Sequence, residues 1–379
     1  MHVFELEPTG LSESERDLQR EVRSWLAQRL PAGSYPVGLG MTGAVDRAFS
    51  MDLGARGWLG MTLPAEYGGH GRSAVDRQLV VEELLAVGAP VGFHWVADRQ
   101  SGPSIAANGT AEQKAFFLPR IAAGEISFAI GMSEPDSGSD LASLRTRAVR
   151  SGDDWVVSGA KIWTTNGATA DYVLGLFRTS DERRGGLTQF IVDLRSDGVT
   201  VSPIPFIDGT SEFCEIAFDQ VVVPDWLRLG DVGGGWAQNT SELVLERGGV
   251  DRWMSAVPII EDRLQHGAPP LADSGLADLG SIAARLWAFR SMSLSVARMV
   301  DAGQHPLVEA ALIKDMATRF EQDCVETMLS QLGHPPDPGA TDLHESLLAR
   351  AVLVSPSWTV RGGTTEILRN IIAKELLRP

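Results

Sequence analysis

The stretch FAIGMSEPDSGSD, residues 128–140, decides how the chain is read. Its first four residues, Phe128 to Gly131, predict a short apolar strand. Met132, Ser133, Glu134 and Pro135 follow, and then small polar residues. Such a segment turns with hydroxyls and backbone N–H groups facing one point, a nest that suits an anion or the polar edge of a heterocycle. The same residues also make an ordinary Gly/Ser/Asp loop. Taken alone they leave both readings open.

Upstream of this stretch the pattern is helical. Ser12-Glu13-Ser14-Glu15 has the form of a capping box, and Leu18, Val22, Trp25, Leu26 and Leu30 recur at helical spacing. Thr110-Ala111-Glu112-Gln113 repeats the box ahead of Phe116, Phe117 and Leu118, and LPAEYGGHGRS (63–73) lies between as a Pro/Gly-rich turn. Downstream come DWVVSGAKIW (154–163), DYVLGLF (171–177), TQFIVDL (188–194) and FCEIAFD (213–219), separated by Gly, Ser, Asp and Arg. These β-branched and aromatic runs predict an antiparallel sheet or small barrel.

From about residue 235 the 3.6-residue period returns. Ile313, Met316, Phe320, Cys324 and Met328 form one stripe, and Ile367, Leu368, Ile371, Ile372 and Leu376 another. LQHGAPPLADSG (264–275) and LGHPPDPGATD (332–342) break the helices of an expected bundle. The expected organisation is α+β: an N-terminal helical domain over 1–125, a middle β domain over 126–230 and a C-terminal helical bundle over 231–379.

Composition narrows the function. The 379 residues are 44% hydrophobic and 22% charged, an ordinary globular mixture that allows two or three domains. Lys and Arg number 33 against 49 Asp and Glu, a net charge of −16 that repels phosphate backbones and disfavours nucleic acid. Only Cys214 and Cys324 occur, which excludes a disulfide scaffold and suits a cytoplasmic protein with reduced thiols. The start MHVFELEPTG is acidic rather than apolar, unlike a signal peptide. No apolar run approaches the ~18–20 residues a bilayer span needs, so no membrane partner is expected. No G-x-G-x-x-G follows a strand, and no P-loop, G-x-S-x-G or H-E-x-x-H is present. The histidines never pair at ligand spacing, so no metal site is expected.

Two more stretches are unusual. KIWTTNG (161–167) sets a Trp beside two threonines at a strand end. That offers a flat face with hydroxyl donors, or a core Trp with turn threonines. In RGGTTEILRNIIAKELL (361–377), two glycines precede Thr364 and Thr365 at the start of an amphipathic helix. That is a plain cap, or a set of free N–H groups that bind phosphate or carbonyl oxygens.

Together these segments resemble the acyl-CoA dehydrogenase family. GMSEPDSGSD is similar to its A-x-[TS]-E-P-x-A-G-S-D loop, KIWTTNG to its K-x-W-I-T-N-G strand and GGTTEILRNIIA to its x-G-T-[SN]-E-x-x-R-x-x-I-A helix. LPAEYGGHG resembles its P-x-x-Y-G-G-x-G turn. The likeness spans nearly the whole chain. It implies the acyl-CoA dehydrogenase-like fold, FAD as cofactor, and α,β-dehydrogenation of an acyl-CoA thioester in lipid metabolism. By position, Ser133 would hydrogen-bond the flavin ring with Met132 beside it. Trp163 would cover one flavin face, and Thr165 would bond near N5. Thr364, Thr365 and Glu366 would lie along the FAD phosphates, and Ser139 would touch CoA.

The resemblance also frames the search for a base. Many members carry Glu directly before the Gly-Thr of the last helix, and here that position is Gly362. Others use an L-x-x-E-R pattern, which Leu243, Glu246 and Arg247 match. Glu246 is therefore the expected catalytic base and Arg247 a substrate-binding or orienting residue. A solvated Glu246 paired with Arg247 is the competing reading. Burial in an apolar pocket would raise the carboxylate's basicity. The bare Gly362 would make room for a bulky or branched acyl group.

The family's R-x-x-F-G is missing, and the corresponding stretch reads RLQHGAPPLADSGLADLGSI (263–282). In heteromeric members a partner chain supplies that arginine. The resemblance therefore implies either a homo-oligomer (dimer or tetramer) or an α2β2 hetero-oligomer, with an electron-transfer flavoprotein as acceptor. Two rival functions are a flavin-dependent monooxygenase on the same fold and a non-catalytic subunit. The L-x-x-E-R match argues against the first, and the intact S-E-P and W-T-T segments against the second.

Overall fold

The helices and strands follow one another in the helix–sheet–helix sequence the hydrophobic patterns predict. A computed structural model describes residues 6–266 and 273–377, apart from the side chains of Thr42, residues 241–246 and His266. The N-terminal part holds α1 (Glu13–Arg29), α2 (Arg47–Ala55), α3 (Ala74–Ala86), α4 (Gly102–Asn108) and α5 (Ala111–Ala122). The strands are β1 (Phe128–Gly131), β2 (Arg147–Ser151), β3 (Asp154–Thr165), β4 (Tyr172–Arg178), β5 (Leu187–Asp193), β6 (Val199–Ile204), β7 (Phe213–Pro224) and β8 (Arg228–Leu229). The C-terminal part holds α6 (Gly235–Arg247), α7 (Val257–His266), α8 (Asp273–Asp301), α9 (Leu307–Leu332), α10 (Leu343–Val354) and α11 (Thr365–Leu376). Among the described residues no helix is long and apolar enough to cross a membrane.

The fold groups into two compact units. The helical unit takes Met1–Ala44, Ser73–Pro90 and Val244–Pro379. In it, α1 starts on the predicted capping box: the Ser12 hydroxyl accepts the Glu15 N–H, and the Glu15 carboxylate accepts the Ser12 N–H. That carboxylate also takes two hydrogen bonds from Arg298, at 2.6 and 2.7 Å, which tie α1 to α8. Val75 and Leu79 of α3 pack on Leu294 and Ala297 of α8. On α9, Ile313, Phe320, Cys324 and Met328 are buried as the stripe predicts, but Met316 is 44% exposed. Ala317 takes the inward place instead, because the buried row runs 310, 313, 317, 320, 324 and Met316 stands one step off it. On α11 only Leu368 is fully buried, Ile367, Ile371 and Ile372 are half-buried, and Leu376 is exposed. The helix leans on α9, so its apolar stripe is covered on one side.

The β unit takes Val45–Arg72 and Val91–Leu243. Its sheet has the order β6-β7-β3-β2-β4-β5-β8, with β1 added beside β4. Neighbours are antiparallel with two exceptions. β1 runs parallel to β4 from the Phe128–Tyr172 to the Gly131–Gly175 pair, and β2 meets β4 in a single parallel pair, Arg147–Arg178. A parallel pair cannot close through a tight hairpin, and the β1-to-β4 connection carries β2 and β3. Trp155, Phe177, Phe190 and Phe218 pack edge-to-face in the core beneath. Gln113, the third residue of the second capping box, also donates to the carbonyls of Trp226 and Arg228, which fastens α5 to the end of the sheet.

Candidate active site

After β1 the chain crosses β3. Ser133 O accepts the Ile162 N–H at 2.9 Å, so the loop is bonded to the strand by its backbone. Glu134 and Ser137 exchange both backbone hydrogen bonds (2.8 and 3.0 Å), which leaves Pro135 and Asp136 as the tip of a tight turn. The Glu134 side chain points inward. Its carboxylate accepts the N–H groups of Arg145 (2.6 Å) and Thr146 (2.9 Å) and the Lys161 ammonium (2.8 Å). Lys161 also donates to Met132 O at 3.3 Å. One fully buried lysine thus binds both ends of the Met132-Ser133-Glu134 tripeptide.

Electrostatics follow from that burial. Burial alone would raise the Glu134 carboxyl, but Lys161 and the two N–H donors hold it below the usual carboxylate range. Burial pushes Lys161 down to about 8, and Glu134 offsets only part of the effect. The ammonium also lies 5.3 Å from the centre of the Phe177 ring.

Two residues beyond Lys161 the ladder slips. Lys161 pairs with Ile216 and Thr164 with Cys214, so β3 spends an extra residue there: a β-bulge. Trp163 sits in it at φ 61°, a left-handed conformation that costs a bulky residue about 1–3 kcal/mol. The bulge turns the indole outward, where it is 55% exposed and meets Phe213 edge-to-face at 6.3 Å. Thr164 is buried and its Oγ1 has no hydrogen-bond partner among the described residues, whereas Thr165 is half-buried. Ser133 and Met132 are half-buried, and Ser139 is exposed further along the loop. The β unit therefore brings Ser133 and Trp163 to adjoining positions on one loop–strand crossing. An outward indole with hydroxyls nearby offers a flat apolar face with donors at its rim.

In the helical unit the segment before α11 is held from below. Arg361 donates to Glu321 (2.7 Å) and to the Ser255 hydroxyl (3.1 Å), while the Ser255 N–H reaches the other Glu321 oxygen (2.7 Å). Burial lowers the Arg361 guanidinium and raises the Glu321 carboxyl, and each opposes the shift of the other. Gly362 O accepts the Arg247 Nε–H at 3.1 Å, and Gly363 O accepts the Lys314 ammonium at 2.7 Å. Gly362 and Gly363 have φ of 66° and 105°, the left-handed region where glycine belongs.

Thr364 then caps α11 by position but makes no side-chain capping bond. The exposed Glu366 carboxyl is held below its usual range by its own backbone N–H first and by Thr364 second. A carboxylate thus lies against one N–H of the first turn, its own, where the helix dipole favours negative charge.

The expected base, Glu246, falls in α6, but its side chain lies outside the described residues, as does that of Leu243. Arg247, expected to serve substrate, is buried with its guanidinium turned to Gly362. The structure brings these two residues together. Sequence reading missed Glu134, Lys161, Lys314 and the Glu321–Arg361 pair. A signal for Lys161 existed: it shares the inward parity of Trp155 and Val157 on β3, and an inward lysine needs a carboxylate. Neither cysteine offers a reactive thiolate, since burial raises both and takes Cys324 to about 12.

Comparison with known proteins agrees across the whole chain. Residues 12–125 match the N-terminal domain of acyl-CoA dehydrogenase, 129–221 the middle domain and 233–377 the C-terminal domain. Acyl-CoA dehydrogenase FadE26 of Mycobacterium tuberculosis is 34% identical, over 94% of this chain and 95% of that protein. Among solved structures, the Tcur3481-Tcur3483 steroid ACAD is 32% identical with a TM-score of 0.86, covering 98% of this chain and 99% of that one. The ChsE4-ChsE5 complex from Mycobacterium tuberculosis is 30% identical with a TM-score of 0.82, covering 98% and 100%. The chain belongs to the acyl-CoA dehydrogenase family, a family of flavoprotein oxidoreductases.

Proposed function

We propose that the chain is a catalytic FAD-dependent acyl-CoA dehydrogenase in which Glu246 removes the α-proton of the thioester. The observation that carries this reading is the outward indole of Trp163, held in a strained bulge beside the backbone-locked Ser133. Strain of that kind persists where the surroundings over-determine it, as at a ligand site. The donor set fits a flavin: an exposed flat face, with the Ser133 and Thr165 hydroxyls for the polar ring edge and Met132 for its apolar side. Thr364, Thr365 and Glu366 would serve the FAD phosphates, with Glu366 giving way to the incoming anion. Ser139 would touch CoA.

When bound, the oxidised flavin would accept the hydride released from the β-carbon. The remaining work falls to the protein. Glu246 takes the α-proton, and a positioned general base contributes about 10²–10⁴-fold. Arg247 fixes the Gly362 carbonyl, which orients the turn before α11. The bare Gly362 leaves room for a bulky acyl group, and the similarity to a steroid ACAD supports that class. The missing Arg-x-x-Phe-Gly, together with the two-chain complex among the similar structures, supports a partner subunit. An electron-transfer flavoprotein would reoxidise the enzyme.

The test is product analysis. Bulky acyl-CoA thioesters incubated with the flavin-loaded enzyme and an electron acceptor should yield thioesters two hydrogens lighter, with the new double bond between Cα and Cβ. A hydroxylated product that requires oxygen and a flavin reductant would instead make the chain a monooxygenase.

A further inference from the structure

We propose that the buried Glu134–Lys161 pair is a positioning device that sets the Ser133 and Trp163 contacts to the flavin ring. The inference rests on the flavin-binding reading above and assigns the pair no contact with flavin or substrate.

The pair is more than the fold requires. β3 is already bonded along its length to β2 and β7, and an apolar residue at position 161 would pack among Phe177 and its neighbours without any ion to desolvate. A buried ion pair is seldom the cheaper choice for stability. What the pair adds, beyond the Ser133–Ile162 backbone bond and the Thr146 hydroxyl's bond to Ala160 O, is a side-chain tie among three segments. Lys161 reaches Met132 O and Glu134, while Glu134 reaches the backbone of Arg145 and Thr146 at the approach to β2. Ser133 lies between the two residues that Lys161 holds, so its backbone is anchored on both sides. Trp163 lies two residues beyond Lys161, in the bulge that begins there. The charges acting on Lys161 are Glu134 across the loop and Arg178 from β4.

The experiment compares the wild-type holoprotein with the double variant Glu134→Gln/Lys161→Met, which removes both charges at nearly constant volume. The double variant should unfold close to the wild-type temperature. It should bind FAD about tenfold or more weakly, the size of one well-aligned contact, and the visible absorbance bands of its bound flavin should shift. If the wild type itself takes up no FAD, the reading of the site fails. If the wild type binds FAD and the double variant matches it within twofold, with an unchanged spectrum, the positioning role alone is overturned. A double variant that cannot fold also overturns it, because the pair would then be a requirement of the fold.

Discussion

The loop–strand crossing at 132–163 and the glycine turn at 361–366 both rest on buried charge, but they use it in opposite ways. At the crossing, a buried carboxylate collects backbone N–H groups, and a buried ammonium neutralises it. Those donors are taken up within the protein, and what faces outward is an indole. At the turn, Arg247 and Lys314 hold backbone carbonyls, and the Glu366 carboxylate sits at the N-terminal turn of α11 on its own N–H. One arrangement suits a flat ring and the other suits negative charge. An acidic chain that binds an anionic dinucleotide needs such a division of labour, because its overall field opposes the ligand.

The sharpest way to break this division is to separate proton chemistry from ring binding. Glu246→Gln should lower turnover by about 10²–10⁴-fold while leaving FAD content unchanged. A fall in both, seen by steady-state rates and flavin absorbance, would mix the roles that the two regions keep apart. Next in size is the loss of one buried partner. Lys161→Met alone leaves the Glu134 carboxylate buried without its cation, which should cost about 3–5 kcal/mol in denaturant unfolding. A cost below ~1 kcal/mol would mean the carboxylate's N–H donors suffice.

The two left-handed positions predict opposite signs. Trp163→Gly relieves a strained φ of 61° and gives up little burial, so the apoprotein should be no less stable than wild type while its FAD affinity falls. Gly363→Ala places a Cβ at φ 105°, 3.4 Å from the Arg247 guanidinium, and should destabilise by about 1 kcal/mol or more. Calorimetry on the two apoproteins checks both signs.

A further way to sharpen the comparison is pH. Lys161 titrates at about 8 when folded and 10.5 when exposed. Between those values the unfolded chain holds more protons. Its contribution to stability therefore rises with pH, by at most about 1.4 kcal/mol per unit. Glu134 has its folded value lowered, so its contribution is full above the ordinary carboxylate range and is lost as pH falls through the folded value. The stability gap between wild type and the double variant Glu134→Gln/Lys161→Met should follow both limbs, and a gap flat from pH 8 to 10.5 would contradict the burial of Lys161.

Much of this is legible in the sequence. Both capping boxes announce their helices, and the β-branched runs mark β3, β4, β5 and β7, because local hydrogen bonds and period-two burial are written into neighbouring residues. The parallel pairing of β1 was not legible, since pairing direction depends on residues far apart in the chain. Met316 was misplaced for a related reason: an apolar stripe does not say which of two adjoining positions the partner helix covers. At the site, Ser133 and Trp163 stood out by motif, whereas Lys314 gave no local sign that it would turn to the carbonyls of Thr359 and Gly363. Its partners lie more than forty residues away and come together only in the fold.

The central claim is that this chain dehydrogenates an acyl-CoA with its own flavin and base. The most direct test is anaerobic titration of the flavin-loaded enzyme with a bulky acyl-CoA thioester, followed by the visible absorbance of the flavin. The account predicts bleaching by the wild type and an oxidised, unbleached flavin in Glu246→Gln. A wild-type flavin that stays oxidised under excess of every thioester tried, or a Glu246→Gln flavin that bleaches as fast as wild type, would contradict it.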